Sequence, residues 1–128
     1  MYREYAENSV EAIVRIIMSI INIDGEIHEN ETTLKRELFK EFNSMSLNPC
    51  QDYELDNFEA RFYQDFIIAK GNGTLLNLSE YNLKKITDKF LASTLIICLI
   101  SMTRSDNDHY KLEKKFIHDA SILWKNLE

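Results

Sequence analysis

The sequence is poor in turn formers, with three glycines and one proline in 128 residues. A β-sandwich or a glycine-rich phosphate-binding fold consumes many more, so neither is expected. Two cysteines, Cys50 and Cys98, stand outside any CxxC, which excludes a disulfide framework. There is no basic excess: 15 Lys and Arg face 21 Asp and Glu, a formal net charge of −6. Neutralising phosphates needs the opposite balance, so nucleic acid is not an expected partner. No apolar run reaches the ~20 residues of a membrane span. The longest covers residues 90–102 and includes Ser93, Thr94 and Ser101. Glu4, Glu7 and Glu11 precede the first apolar stretch, the wrong charge for a secretory signal. No nucleophile elbow, Walker loop, Rossmann fingerprint or HExxH is present, so an enzyme is not the expected class. These absences leave a cytoplasmic, reduced, acidic protein, a single domain over residues 1–128.

What is present is helical periodicity. Val10, Ile13, Val14, Ile17, Ile20 and Ile21 fall on one face of a helix, opened by Asn8 and Glu11 as a capping box and closed by Asp24-Gly25. A second helix is expected over residues 29–42, with Leu34, Leu38, Phe39 and Phe42 inward, and the short connection makes the two a hairpin. Asn48-Pro49 breaks the chain. A third helix over residues 51–69 turns Tyr53, Phe58, Phe62 and Phe66 inward and ends at Gly71-Asn72-Gly73. Ser79 is the expected N-cap of the next segment, one bent helix or two over residues 80–104. A last helix over residues 109–127 stripes Leu112, Phe116, Ala120, Leu123 and Leu127 on one side. Lys84, Lys85, Lys89, Lys111, Lys114 and Lys115 read as solvated helix faces. The fold class is all-α, a bundle of about five to seven helices.

The chain also resembles itself. An offset of 82 positions pairs Ile13 with Leu95, Ile17 with Leu99 and Ser19 with Ser101, and then Asp24 with Asp106 and Glu31 with Glu113. Each unit reads as helix, acidic turn, helix, so two pseudo-repeated hairpins are expected. The Asp stands where one helix ends and the Glu in the first turn of the next, where the helix dipole favours a carboxylate. The charge is concentrated there. Residues 24–31 hold four acids and no Lys or Arg, residues 106–113 hold three acids and Lys111, and the rest of the chain is neutral.

If the turns converge, these carboxylates repel unless a cation or water lies between them. Oxygen-only ligands select hard cations, so Ca²⁺ or Mg²⁺ is the expected cofactor, although the spacing is not that of an EF-hand. Lys35 stands where its bidentate Glu belongs. His28 and His109 border the two turns, whereas His118 lies apart.

Residues 16–38, IIMSIINIDGEIHENETTLKREL, resemble the TerB tellurite-resistance family, whose hallmark is an apolar helix ending in Asp-Gly with a Glu seven residues past the Asp. Residues 101–117, SMTRSDNDHYKLEKKFI, are similar to the second, degenerate copy of that hallmark. The N-terminal domain of a membrane-anchored DnaJ-type co-chaperone is similar to the same family. The chain departs from the pattern at Ile23 and Ser105, where Ala is usual, and at Asn107, where Gly is usual. The resemblance implies an all-α domain of about seven helices acting in bacterial stress response or as an interaction module. It also implies divalent-metal ligands at Asp24, Glu31, Asp106 and Glu113.

Two functional expectations follow. One is a non-enzymatic stress-response or interaction module whose acidic junctions hold a divalent cation. The other is an acidic adaptor, or an immunity or antitoxin-like protein, that docks a basic protein through Glu26, Glu29 and Asp108.

Overall fold

Helix α1 (Val10–Ile21) is the axis of the fold, with every one of its residues buried. The structure, a computed structural model, describes residues 3–23, 32–46, 49–102, 107–125 and 127, apart from the side chains of 32–34 and 107–110. Around α1 pack α2 (Thr32–Met45), α3 (Asp52–Asn72), α4 (Leu75–Lys84) and α5 (Lys89–Ser101). A last helix, α6 (Asn107–Trp124), lies against α5 and α4. Among the described residues all regular structure is helical, as the periodicity requires.

The apolar face expected for α1 is buried, with Val14, Ile16, Ile17, Met18 and Ile20 fully enclosed. Its cap is different. Ser9 is the N-cap, its Oγ accepting from the Ala12 N–H at 3.2 Å. Asn8 instead takes a left-handed backbone, φ 58, which Asn tolerates better than most residues. From there its side chain reaches across the fold. Oδ1 accepts from the N–H groups of Thr87 and Asp88 at 2.9 and 3.1 Å, and Nδ2 donates to the Thr87 hydroxyl at 2.8 Å.

That latch explains a second difference. The segment expected to cap at Ser79 begins earlier, because Gly73 ends α3 at φ 70 and α4 starts directly after Thr74, leaving Ser79 inside α4. The chain then breaks at residues 85–88 with no Gly or Pro. Ile86 plugs the core there, and the Asp88 carboxylate caps α5 by accepting from the Leu91 N–H at 2.9 Å.

Two registers also shift. Tyr53 is 64% exposed: it precedes Phe62 by nine positions, half a turn round the helix, whereas Leu55 precedes it by seven and faces inward. On α6 the buried stripe is Glu113, Phe116, Ala120 and Trp124, rotated away from Leu112. Trp124 sets that rotation, its indole N–H donating to the Leu83 carbonyl of α4 at 2.9 Å. Phe62 stacks on Phe66 and meets Tyr63 edge-on, so these aromatics are core, as their spacing suggests. Asn43 staples the α2–α3 connection, donating to the Cys50 carbonyl and accepting from its N–H, both at 2.8 Å.

Candidate functional site

The acidic junctions lie largely outside the described residues: Asp24, Glu26, Glu29, Glu31 and Asp106 all do, as does the side chain of Asp108. His28 and the His109 side chain fall there too. Glu113 is the described member of the expected ligand set. It sits in the α6 stripe, 1% exposed and not without a partner. Among the described residues no three of His, Cys, Asp and Glu gather as metal ligands would.

The charge that is described concentrates elsewhere. Arg15 of α1 has no exposed surface, and its Nη2 meets the Asp65 carboxylate of α3 at 2.9 Å while its Nε meets Glu11 at 3.4 Å. Glu11 in turn takes Arg61 at 3.4 Å, and Asp65 takes Arg3 at 3.5 Å. The ring of Tyr5 covers the guanidinium at 4.6 Å, and its hydroxyl donates to Asn82 of α4. Burial pushes the Tyr5 hydroxyl pKa far above its ordinary value, outweighing the opposing pull of Arg15. An unpaired charge in this place would be costly, so the network fixes the N-terminal arm, α1 and α3 relative to one another. Lys35 of α2 and Glu59 of α3 form a second enclosed pair. The sequence carries a signal for the first network: Glu11, Arg15 and Ser19 recur every four residues, a polar stripe on an otherwise apolar helix.

Above this network opens a groove of about 1000 Å³. Its walls are the N-terminal arm, the end of α2, the start of α3 and the first turns of α5. Val10, Ile13, Phe42 and Phe58 supply apolar surface, with Met45, Phe90, Leu91 and Thr94 at the sides. Glu4, Glu7, Glu11, Glu54 and Asp88 also line it, and among the described residues no lysine or arginine does. Some of these acids are engaged from behind: Glu4 by Lys85 at 3.4 Å, Glu11 by Arg15 and Arg61, and Glu7 by the Thr87 hydroxyl at 3.2 Å. Lys85 is therefore no free solvated lysine. It lies over the rings of Tyr5 and Tyr81 at 5.2 and 5.0 Å.

Helix α5 extends this wall. Its sequence is apolar all round, the pattern of a fully buried helix. Yet only one side faces the core, through Ala92, Leu95, Cys98 and Leu99, while Phe90 is 81% and Ile97 70% exposed. Phe90, Thr94, Ile97 and Ser101 follow one another at helical spacing on the outward side. A smaller groove of about 450 Å³ separates α4 from α6 and carries both signs of charge, with Glu80, Asp119 and Lys115 among leucines. No described site presents an activated nucleophile. Both cysteines are free, Cys98 is buried with its pKa pushed up by that burial to about 11, and Cys50 is raised in the same direction for the same reason. Compared with family models, curated proteins and solved structures, the chain has no match. The TerB resemblance accordingly rests on residues 16–38 and 101–117 alone.

Sequence reasoning missed the groove because its acids are scattered between residues 4 and 88, and only the fold brings them together. One signal was available. Residues 90–102 are too apolar for a helix with a solvated face, and among the described residues no helix is long and apolar enough to cross a membrane.

Proposed function

We propose that the protein is a non-enzymatic interaction module that docks a basic protein partner. The outward side of α5 carries the reading. A stripe of Phe90, Thr94 and Ile97 on a small domain is apolar surface of the kind that protein interfaces cover. Beside it stand Glu7 and Glu54, which pair with no described lysine or arginine, so a partner approaching this side is favoured if it is cationic. Phosphate backbones are repelled by the same field.

The test is retention of proteins on the immobilised chain across a salt gradient. Basic partners held at about 50 mM salt and released by about 300 mM, where screening shortens the range of the field, support the reading. They should be lost from a chain carrying Glu7→Lys with Glu54→Lys. A parallel reversal at Glu26 and Glu29 separates the groove from the first acidic junction. Partners indifferent to salt and to both reversals would sink the proposal.

A divalent cation at the junctions, with the stress-response role that the TerB resemblance implies, is the second reading. It rests on the recurrence in the sequence of Asp24 and Glu31 as Asp106 and Glu113 at one fixed offset. Calorimetry with Ca²⁺ and with Mg²⁺ on the wild type and on Glu113→Gln decides. Equal absence of heat in all four titrations removes direct binding.

A further inference from the structure

We infer that the occupant of the acid-lined groove is an amphipathic α-helix with lysines or arginines flanking its apolar face. This inference rests on the reading of the protein as a module for basic partners, and adds the form in which the partner binds.

Shape comes first. Two turns of α-helix, about 10 Å across and about 11 Å long, are small enough to lie in an open groove of about 1000 Å³. The walls are helices and the N-terminal arm, and among the described residues there is no strand edge on which an extended peptide could add hydrogen bonds. A helix satisfies its own backbone without such an edge.

Chemistry follows. The apolar wall continues from Phe90 through Thr94 to Ile97, a line along α5 against which a second helix can pack over about two turns. Phe90 and Met45, 81% and 60% exposed, stand at the sides as the surfaces an incoming apolar face would cover. Glu7 and Glu54 lie where cationic side chains on the margins of such a helix would meet them. A second copy of this chain in a symmetric contact would set this acid-bearing surface against an identical one, with like charges facing each other. A lipid surface rich in phosphate is disfavoured by the same sign of charge.

The probe is a labelled synthetic peptide of leucines and lysines, about four turns long, patterned at helical spacing. Two companions share its length. One has the same composition in alternating order, and one has glutamates for the lysines. Binding is read by fluorescence anisotropy. The helical basic peptide should bind at least about tenfold tighter than either companion. Glu7→Lys with Glu54→Lys should weaken it at least about tenfold, and Phe90→Ala several-fold. Glu80→Lys with Asp119→Lys, at the α4–α6 groove, should leave it within about twofold. Circular dichroism of each variant checks that the fold is kept. Equal binding of the two basic peptides, lost on reversal at Glu7 and Glu54, overturns the helical form but leaves the basic-partner reading standing. Binding moved only by the α4–α6 reversals overturns the assignment of the groove. Failure of every basic peptide overturns both. A self-associated chain in sedimentation, dispersed by Phe90→Ala, makes a second copy the occupant and overturns the inference.

Discussion

Replacing Arg15 by methionine keeps an unbranched apolar stem in its place and removes a cation that touches both Glu11 and Asp65. Breaking a buried ion pair by deleting one partner costs about 3–5 kcal/mol, because the remaining charge is left without compensation. Here the lower end applies. Glu11 keeps Arg61 at 3.4 Å and Asp65 keeps Arg3 at 3.5 Å, and Asp65 retains some contact with water. The contact between the guanidinium and the Tyr5 ring is lost as well, worth about 1 kcal/mol in a desolvated place. The expected cost is about 3–4 kcal/mol, a large part of the 5–15 kcal/mol that holds a typical domain together. For a chain of this length that lowers Tm by about 11–15 °C. Urea and thermal denaturation followed by circular dichroism measure both quantities. A second variant carrying Arg15→Met with Glu11→Gln and Asp65→Asn should recover part of the loss, since the stranded charges are gone. A cost below about 1 kcal/mol for Arg15→Met alone, or no recovery in the triple variant, refutes the view that compensation of buried charge organises this end of the fold.

Asn8→Ala should cost about 1–2 kcal/mol in urea denaturation, because it strains a positive φ and removes the caps on Thr87 and Asp88. Asn8→Gly, which keeps the backbone but not the bonds, should cost less. Above pH 10 stability should fall: the Tyr5 hydroxyl ionises in the unfolded chain before it does so in the folded one, so the folded state holds the extra proton. The contribution is full below pH 10 and is lost as pH rises past it, and Tyr5→Phe should flatten that slope when denaturation is repeated from pH 8 to pH 11. Alkylation by iodoacetamide at pH 8, followed by mass spectrometry, should mark Cys50 well before Cys98. With a pKa of about 11 the Cys98 thiol is almost wholly protonated as well as enclosed. Faster reaction at Cys98 would contradict its burial.

Helical periodicity made α1, α3 and α6 legible, because each buries residues at the spacing its sequence displays, from Ile13 and Ile17 to Phe62, Phe66 and Phe116. Where the reading slipped, the deciding partner was distant in sequence. The break between α4 and α5 depends on Asn8, about eighty positions away, and the turn of α6 depends on Trp124 finding the Leu83 carbonyl. Tyr53 was misplaced by counting aromatics rather than angles. Arg15, a charge within the apolar run of α1, is a fully enclosed cation whose partners come from α3 and its own helix. The candidate site was less legible than the fold. The acids that stand out as a pattern, from Asp24 to Glu31 and around Asp106, lie outside the described residues, whereas the described carboxylates at the groove show no sequence pattern and are gathered only by packing. The apolarity of residues 90–102 pointed to a core helix, and one side of that helix is core. The other side faces outward, which a composition cannot distinguish.

The central claim, that a basic amphipathic helix docks between the N-terminal arm and α5, is tested most directly by mapping the contact. In nuclear magnetic resonance titration of the labelled chain with the helical leucine–lysine peptide, amide shifts should cluster at residues 4–11, at Met45 and Glu54, and along Phe90, Thr94 and Ile97, and should weaken with added salt. Shifts confined to the α4–α6 groove at Leu76, Leu112 and Ile122, or spread evenly over the surface, would contradict it.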